Sequence, residues 1–511
     1  MKQILYILAI MFLTFSCGGT QVEPPQIIPL DLYVDKTELV FTAAGGSLEF
    51  TVQAQENPSM SPWDKWYTVK KGTWDESKHS VDVTVTADPN TAQEERTSRI
   101  SVVCGDQKAY VEIRQAAAEG GQGGTPTDSA PTPDGGAAWS TAAKLGIGWN
   151  MGNHFDAHSN GVSSETAWGN PEATQKLFTK VKAAGFSTVR IPVTWLGHIG
   201  EAPDYKIDEA WLDRVAEVVG YAENVGLNVI LNMHHDGADS KYWLNIKSAA
   251  QNPKVHEQIL DQIEAMWSQI AWKFQDKGDF LIFEAFNEIH DGGWGWGDNR
   301  NDGGKQYQCL NEWNQMFVST VRGAGSQNNM ERMLGIAVYS ANPDLAIESL
   351  EMPVDYLEDR LMVSVHCYDP YDYALAAKKS EWGHTASSSK KVAGDNEGDL
   401  KAVFVKLYEK FIANDIPVYL GEFGCVNRAT AREQAFQQYY LKYFAKLSKT
   451  YGIPCILWDN GAAGHGEERH AFINHGTGEY CSEEAKAAVK ALVDSYNNDL
   501  TLEQIYNGAP K

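Results

Sequence analysis
The sequence predicts an α/β protein, a (β/α)8 TIM barrel preceded by a small all-β, immunoglobulin-like sandwich. Three observations predict it. At 511 residues the chain is too long for one ordinary domain. Short β-rich runs with alternating apolar and polar residues fill residues 31–115, and a stretch with almost nothing to bury follows. Over residues 139–498, eight apolar strand-like runs then alternate with amphipathic stretches, which is the pattern of a barrel.

The chain starts Met1-Lys2-Gln3, continues with an apolar run over residues 4–15, and reaches Ser16-Cys17-Gly18-Gly19. A charged start and a short apolar core describe an export signal, and the run is too short to span a bilayer. The small residue before a lone cysteine resembles the lipobox of bacterial lipoproteins. That resemblance implies lipidation at Cys17, removal of the segment before it, and an exported protein anchored to the outer membrane or cell surface. A periplasmic face and a plain signal peptide are the alternatives.

The sandwich is expected from runs at 38–41, 47–52, 80–85, 98–103 and 109–113, punctuated by Gly45-Gly46 and Asp88-Pro89-Asn90. With its central Trp66-Tyr67 and closing Val111-Glu112-Ile113-Arg114-Gln115, the segment is similar to the BACON module found beside carbohydrate-active domains in gut Bacteroidetes. Trp63, Trp66 and Trp74 could meet sugar, but so small a sandwich must place at least one in its core. A spacer role is favoured over glycan or mucin contact. Residues 116–138 hold Ala, Gly, Pro, Thr, Ser and Asp and are expected to form a flexible linker.

Barrel strands are expected at 145–149, 188–191, 228–233, 280–286, 333–338, 361–365, 417–421 and 455–458, with helices at 208–224, 254–274, 400–413 and 432–450. A doubly wound open sheet would usually carry a glycine-rich nucleotide loop after its first strand. Gly146-Ile147-Gly148-Trp149-Asn150 lacks the third glycine.

Charge and cysteine content narrow the function. Lys and Arg number 43 against 67 Asp and Glu, a formal charge of −24 that repels nucleic acid and disfavours acidic polymers. A neutral substrate fits better, and 16 Trp with 22 Tyr suit stacking on sugar rings. Past Cys17 no CxxC spacing occurs, so neither a zinc ribbon nor a thioredoxin motif is supported.

In a barrel the active site lies at the carboxyl ends of the strands. The expected ends carry Asn150 and Asn153, Arg190, His234 and His235, Asn287 and Glu288, His366 and Tyr368, Glu422, and Trp458. Any one of these is ordinary, but their convergence on one rim is not. Two carboxylates can cut a glycosidic bond when one holds a proton for the leaving oxygen and the other meets the anomeric carbon. His234-His235-Asp236 could instead ligate zinc. Neighbours on a strand point to opposite faces, so no metal and no cofactor are expected.

Asn287-Glu288 after strand 4 and Glu422 after strand 7 form the signature of the large clan of retaining barrel glycosidases. Val189-Arg190-Ile191-Pro192, Met233-His234-His235-Asp236, His366-Cys367-Tyr368 and Trp458 resemble glycoside hydrolase family 5. Gly148-Trp149-Asn150-Met151-Gly152-Asn153 and Glu165-Thr166-Ala167-Trp168-Gly169-Asn170-Pro171 look like its subfamily 4. The resemblance implies Glu288 as acid/base and Glu422 as nucleophile. Arg190 and Tyr368 would bond Glu422, Asn287 would meet the sugar 2-hydroxyl, and His234 and His366 would position the carboxylates. Trp458 would floor the cleaved subsite, with Asn153, His235, Trp168 and Trp195 on one side. On the other side a glycine-rich insertion, residues 292–297, would present Trp294 and Trp296 on a flexible loop.

The function implied is retaining endo-β-1,4-glucanase action on a plant β-glucan by a monomer. Xyloglucan stands slightly ahead of mixed-linkage glucan and cellulose-like chains. Endo-xylanase or endo-mannanase activity is the runner-up, and a non-catalytic glycan-binding surface lipoprotein is the alternative from another class.

Overall fold
A computed structural model describes residues 32–43, 45–62, 64–90, 95–105, 107–116 and 131–511. The expected export segment with Cys17, Trp63 and most of the expected linker lie outside the described residues. The chain forms two compact units, one within Met1–Thr127 and the other Asp128–Lys511.

The first unit has two four-stranded sheets. One orders Tyr33–Val34, Gly46–Gln53, Ser80–Ala87 and Tyr67–Lys71; the other orders Glu38–Phe41, Gln107–Gln115, Arg96–Cys104 and Ser59–Pro62. Val81, Val83 and Val85 enter the core while the residues between them face away, which is the period-2 pattern that marked the strand. Trp66 and Trp74 both pack against this core, and the Arg96 guanidinium lies 4.4 Å from the Trp66 ring centroid.

The second unit is a closed barrel of eight strands. They are β1 (Ile147–Asn150), β2 (Thr188–Ile191), β3 (Asn228–Asn232), β4 (Leu281–Glu284), β5 (Leu334–Ala337), β6 (Leu361–Cys367), β7 (Val418–Phe423) and β8 (Cys455–Leu457). Neighbours pair in parallel, and β8 closes on β1. Inside the barrel, Ile230, Ile282, Met362, Tyr419 and Ile456 form a buried layer with Leu145, while the opposite strand faces pack against the helices.

Every expected strand is present, Thr188–Ile191 to the residue and the others with shifted ends. β4 stops at Glu284, so Glu288 stands on the segment after it, whereas β7 runs through Glu422 to Phe423. The barrel unit also continues past residue 498, where the sequence reading ended it: helix Leu502–Asn507 packs on helix Ala431–Tyr451.

One irregularity positions the chemistry. β6 and β7 pair Val365 with Leu420 and then His366 with Glu422, leaving Gly421 as an extra residue. A bulge of this kind re-aims the next side chain. With regular alternation Glu422 would leave the barrel beside Leu420; with the bulge it stands over the interior, across from His366. A methyl group at Gly421 would stand 3.0 Å from His366 Nε2, so any larger residue crowds that ring.

Candidate active site
Arg190 is fully buried in β2 and organises the floor. Its Nη1 donates to Glu422 Oε1 at 2.8 Å and to Asn150 Oδ1 at 3.1 Å. Its Nη2 donates to Glu284 Oε1 at 2.6 Å and Asn287 Oδ1 at 2.7 Å, and Nε to Glu284 Oε2 at 3.1 Å. One planar cation thus joins β1, β4, the segment after β4, and β7. The fork geometry of a guanidinium permits this and a point-like ammonium does not.

Glu284 is absent from the residues expected from the sequence, because it lies inside the apolar run 280–286 that reads as strand. Besides Arg190 it accepts Tyr419 Oη at 2.5 Å, Asn232 Nδ2 at 2.8 Å and Ser364 Oγ at 3.3 Å. Burial alone would raise its carboxyl; the Arg190 charge and the bonds from Arg190 and Tyr419 overcome that and hold it below its ordinary value. The available signal was a second glutamate four residues before Glu288, together with a strand arginine that needs more than one anion.

Glu422 has both oxygens engaged, Oε1 by Arg190 and Oε2 by the Tyr368 hydroxyl at 3.1 Å. Tyr368 stays a donor, because burial and the neighbouring carboxylates raise its hydroxyl far above the usual range. Glu288 contrasts with this. Its Oε1 lies 2.7 Å from His366 Nδ1, and no cation bonds it among the described residues. Burial pushes its carboxyl up to about 7, with the Glu284 charge adding and His290 and Arg190 opposing. Burial also lowers His366 to about 4, so its imidazole is neutral at pH 7. Glu288, His366 and Glu422 each offer an atom within 4.8 Å of the others. This is the close carboxylate spacing of retaining rather than inverting sites, for which about 5 Å is typical.

The pair opens into a cleft of about 680 Å³ whose lining includes Asn153, His234, His235, Tyr368 and Trp458. Trp458 and the His234 ring are parallel to within 5°, and His234 Nε2 is 3.9 Å from Glu422 Oε1. Exposed aromatics mark the cleft walls: Trp168, Trp294 and the unanticipated Tyr371, at 44%, 54% and 51% exposure. Asn342 and Glu468 also line it without having been foreseen. A larger outer groove of about 990 Å³, beside Tyr307, Gln315 and Met352, holds neither the carboxylate pair nor the histidines.

Four expectations need correction. Trp195 does not reach the cleft; it is wholly buried and its indole N–H bonds Asn232 O at 3.3 Å. Trp296 is exposed but outside the cleft lining, with the Arg300 guanidinium 4.8 Å from its ring. The insertion is not a loose loop: Asp291 accepts the N–H groups of Gly293 and Asn299, and Asn299 Nδ2 donates to Gly295 O and Tyr307 Oη. Finally, β3 ends at Asn232, so His234 and His235 do not alternate. Their rings lie 4.4 Å apart, and with Asp156 they bring three donor atoms within 4.8 Å. Asp156 is occupied in holding the N–H groups of Asn153 and His154.

The cellulase profile of glycosyl hydrolase family 5 matches residues 152–464. The chain belongs to glycosyl hydrolase family 5. A BACON profile, described as a putative N-terminal binding domain, matches residues 59–116. Endoglucanase A of Paenibacillus barcinonensis is 35% identical over 382 residues, 71% of this chain and 87% of its own. Among solved structures, a broad-specificity GH5-4 endoglucanase from Bacteroides salanitronis is 53% identical with a TM-score of 0.68, covering 71% of this chain and 94% of that one. A Bacteroides ovatus GH5 xyloglucanase in complex with a XXXG heptasaccharide is 28% identical with a TM-score of 0.62, covering 92% of this chain and 100% of that one. This family 5 protein is a hydrolase of the endoglucanase type, and the retaining mechanism is general to its family.

Proposed function
We propose that this family 5 enzyme cuts internal β-1,4 bonds of plant β-glucans, xyloglucan foremost, through a glycosyl ester on Glu422. One observation carries the reading: two carboxyl groups within 4.8 Å, one bonded by Arg190 and Tyr368, the other half-buried beside a neutral histidine. Glu422 attacks the anomeric carbon as the glycosidic C–O bond breaks, and Glu288 passes its proton to the leaving oxygen. Donation from His366 Nδ1–H to Glu288 Oε1 leaves that proton on Oε2, toward the substrate. Glu288, now ionised, takes a proton from water, which attacks the same carbon and frees Glu422.

Asn287 presents its amide beside the sugar 2-hydroxyl, with its carbonyl held by Arg190. Trp458 supplies the stacking floor, Trp168 a platform at one wall, and Trp294 with Tyr371 platforms at another. The similarity to a xyloglucanase and to a broad-specificity endoglucanase supports a branched or mixed β-glucan substrate. The N-terminal sandwich is a spacer, the protein a monomer, and Cys17 a lipid anchor at the outer membrane. The anchor rests on the sequence pattern, and Cys17→Ser should release the protein to the soluble fraction.

The test is reducing-sugar release and product sizing on xyloglucan, mixed-linkage glucan, cellulose, xylan and mannan. Wild type should release oligosaccharides of several lengths early from the β-glucans, and Glu422→Ala none. Equal activity of the two would reject the nucleophile assignment. First products of inverted configuration would reject the two-step route.

A further inference from the structure
The cleft lining carries four carboxylates, Glu288, Asp369, Glu422 and Glu468, and no lysine or arginine. Three have a place already: Glu288 and Glu422 form the reacting pair, and Asp369 is taken up by its own loop, where Cys367 Sγ lies 3.8 Å from its Oδ2. Glu468 has none. Its carboxylate has no hydrogen bond or ion pair among the described residues, although its backbone is fixed by a bond from its N–H to Leu375 O and one from Asn460 Nδ2 to its carbonyl.

Its backbone sits at φ 59°, in the left-handed region where glycine or asparagine is the easier choice. A glutamate at such a position, exposed on the cleft lining with no side-chain partner among the described residues, is placed to meet substrate and holds no other part of the fold. The charged groups facing it are Glu422 from β7, Glu288 after β4, and Glu467 beside it. No cation offsets them along the lining. Glu468 is exposed at the cleft margin, and partial loss of hydration there together with these charges pushes its carboxyl up to about 7.

We propose that Glu468 is a specificity-determining residue that accepts hydrogen bonds from the hydroxyls of a neutral glucan and turns away glycans bearing carboxylates near the scissile bond. The inference rests on the endoglucanase reading and adds a charge criterion to it.

The experiment compares kcat/KM on carboxymethylcellulose and hydroxyethylcellulose, which share a backbone and differ in substituent charge. Wild type, Glu468→Gln, Glu468→Asn and Glu468→Asp are assayed on both sides of pH 7 and at two salt concentrations. Asn suits the left-handed backbone, and Asp keeps the charge. Above pH 7 at low salt, the carboxymethyl-to-hydroxyethyl ratio should rise about fivefold in the Gln and Asn variants and stay near wild type in Asp. The gain should shrink at high salt and below pH 7. A ratio unmoved in every variant, or moved equally by Asp and Gln, overturns the charge criterion while leaving endoglucanase action standing. Failure of wild type to cut either polymer overturns the endoglucanase reading, and this inference with it.

Discussion
Arg190 divides its donors between two buried carboxylates and two amides, and Glu288 is the acid left outside that network. The difference sets both rate and stability. As the proposed acid, Glu288 gives its proton only while protonated, so kcat/KM on polymers should fall as pH rises through about 7. Its folded value lies above the ordinary 4.5, so its contribution to stability is fully present below 4.5 and lost as pH rises through about 7. Glu288→Gln should therefore remove polymer hydrolysis by roughly a thousandfold, spare activated aryl glycosides, and unfold at higher denaturant than wild type above pH 7 by about 1–3 kcal/mol. A polymer profile without an alkaline limb would reject the acid role. Arg190→Lys offers three donors where five are used, and should cost about 3–5 kcal/mol in urea titration as well as more than a hundredfold in kcat. Near-native stability would show that Arg190 is not the organiser.

At the scale of elements, the β7 bulge is what brings a strand residue to the reaction. Gly421→Ala places a methyl 3.0 Å from His366 Nε2, so the ring must shift by a few tenths of an ångström, which disturbs its bond to Glu288. The expected result is a kcat loss of roughly tenfold or more with KM little changed, and about 1–2 kcal/mol of destabilisation. A KM effect alone would mean that the bulge serves binding. Elements also show what the sequence made legible. Thr188–Ile191 was expected to the residue, because a buried parallel strand reads as a continuous apolar run broken by one arginine. Glu288, Glu422, Tyr368 and Arg190 were legible because charged or polar groups at strand ends stand out from such runs. Glu284 was not, since a polar residue inside an apolar run declares no side until the barrel closes. Trp195 misled for the converse reason: an indole near a strand end suits a sugar face and a core equally, and the fold chose the core. The bulge itself leaves no mark beyond one glycine.

At the scale of the whole molecule, the barrel is sealed by segments far apart in sequence. Helix Leu502–Asn507 lies on Ala431–Tyr451, the Tyr506 ring stacks 3.9 Å from His384, and Arg432 Nη1 donates to Lys511 O. Ending the chain at residue 498 should lower the melting temperature by several degrees while leaving KM on short oligosaccharides near wild type, since none of these residues lines the cleft. An unchanged melting temperature would mean that the segment only rests on the barrel.

The shared guanidinium has a last consequence. In the resting enzyme one cation answers two anions, Glu284 and Glu422, so the floor of the barrel carries an excess negative charge. In the proposed route, once Glu422 is esterified by the sugar, Arg190 and Glu284 are left one to one. Halfway through that cycle, the negative charge that Arg190 could not answer has passed from the barrel floor to Glu288, and each hydrolysis carries it back.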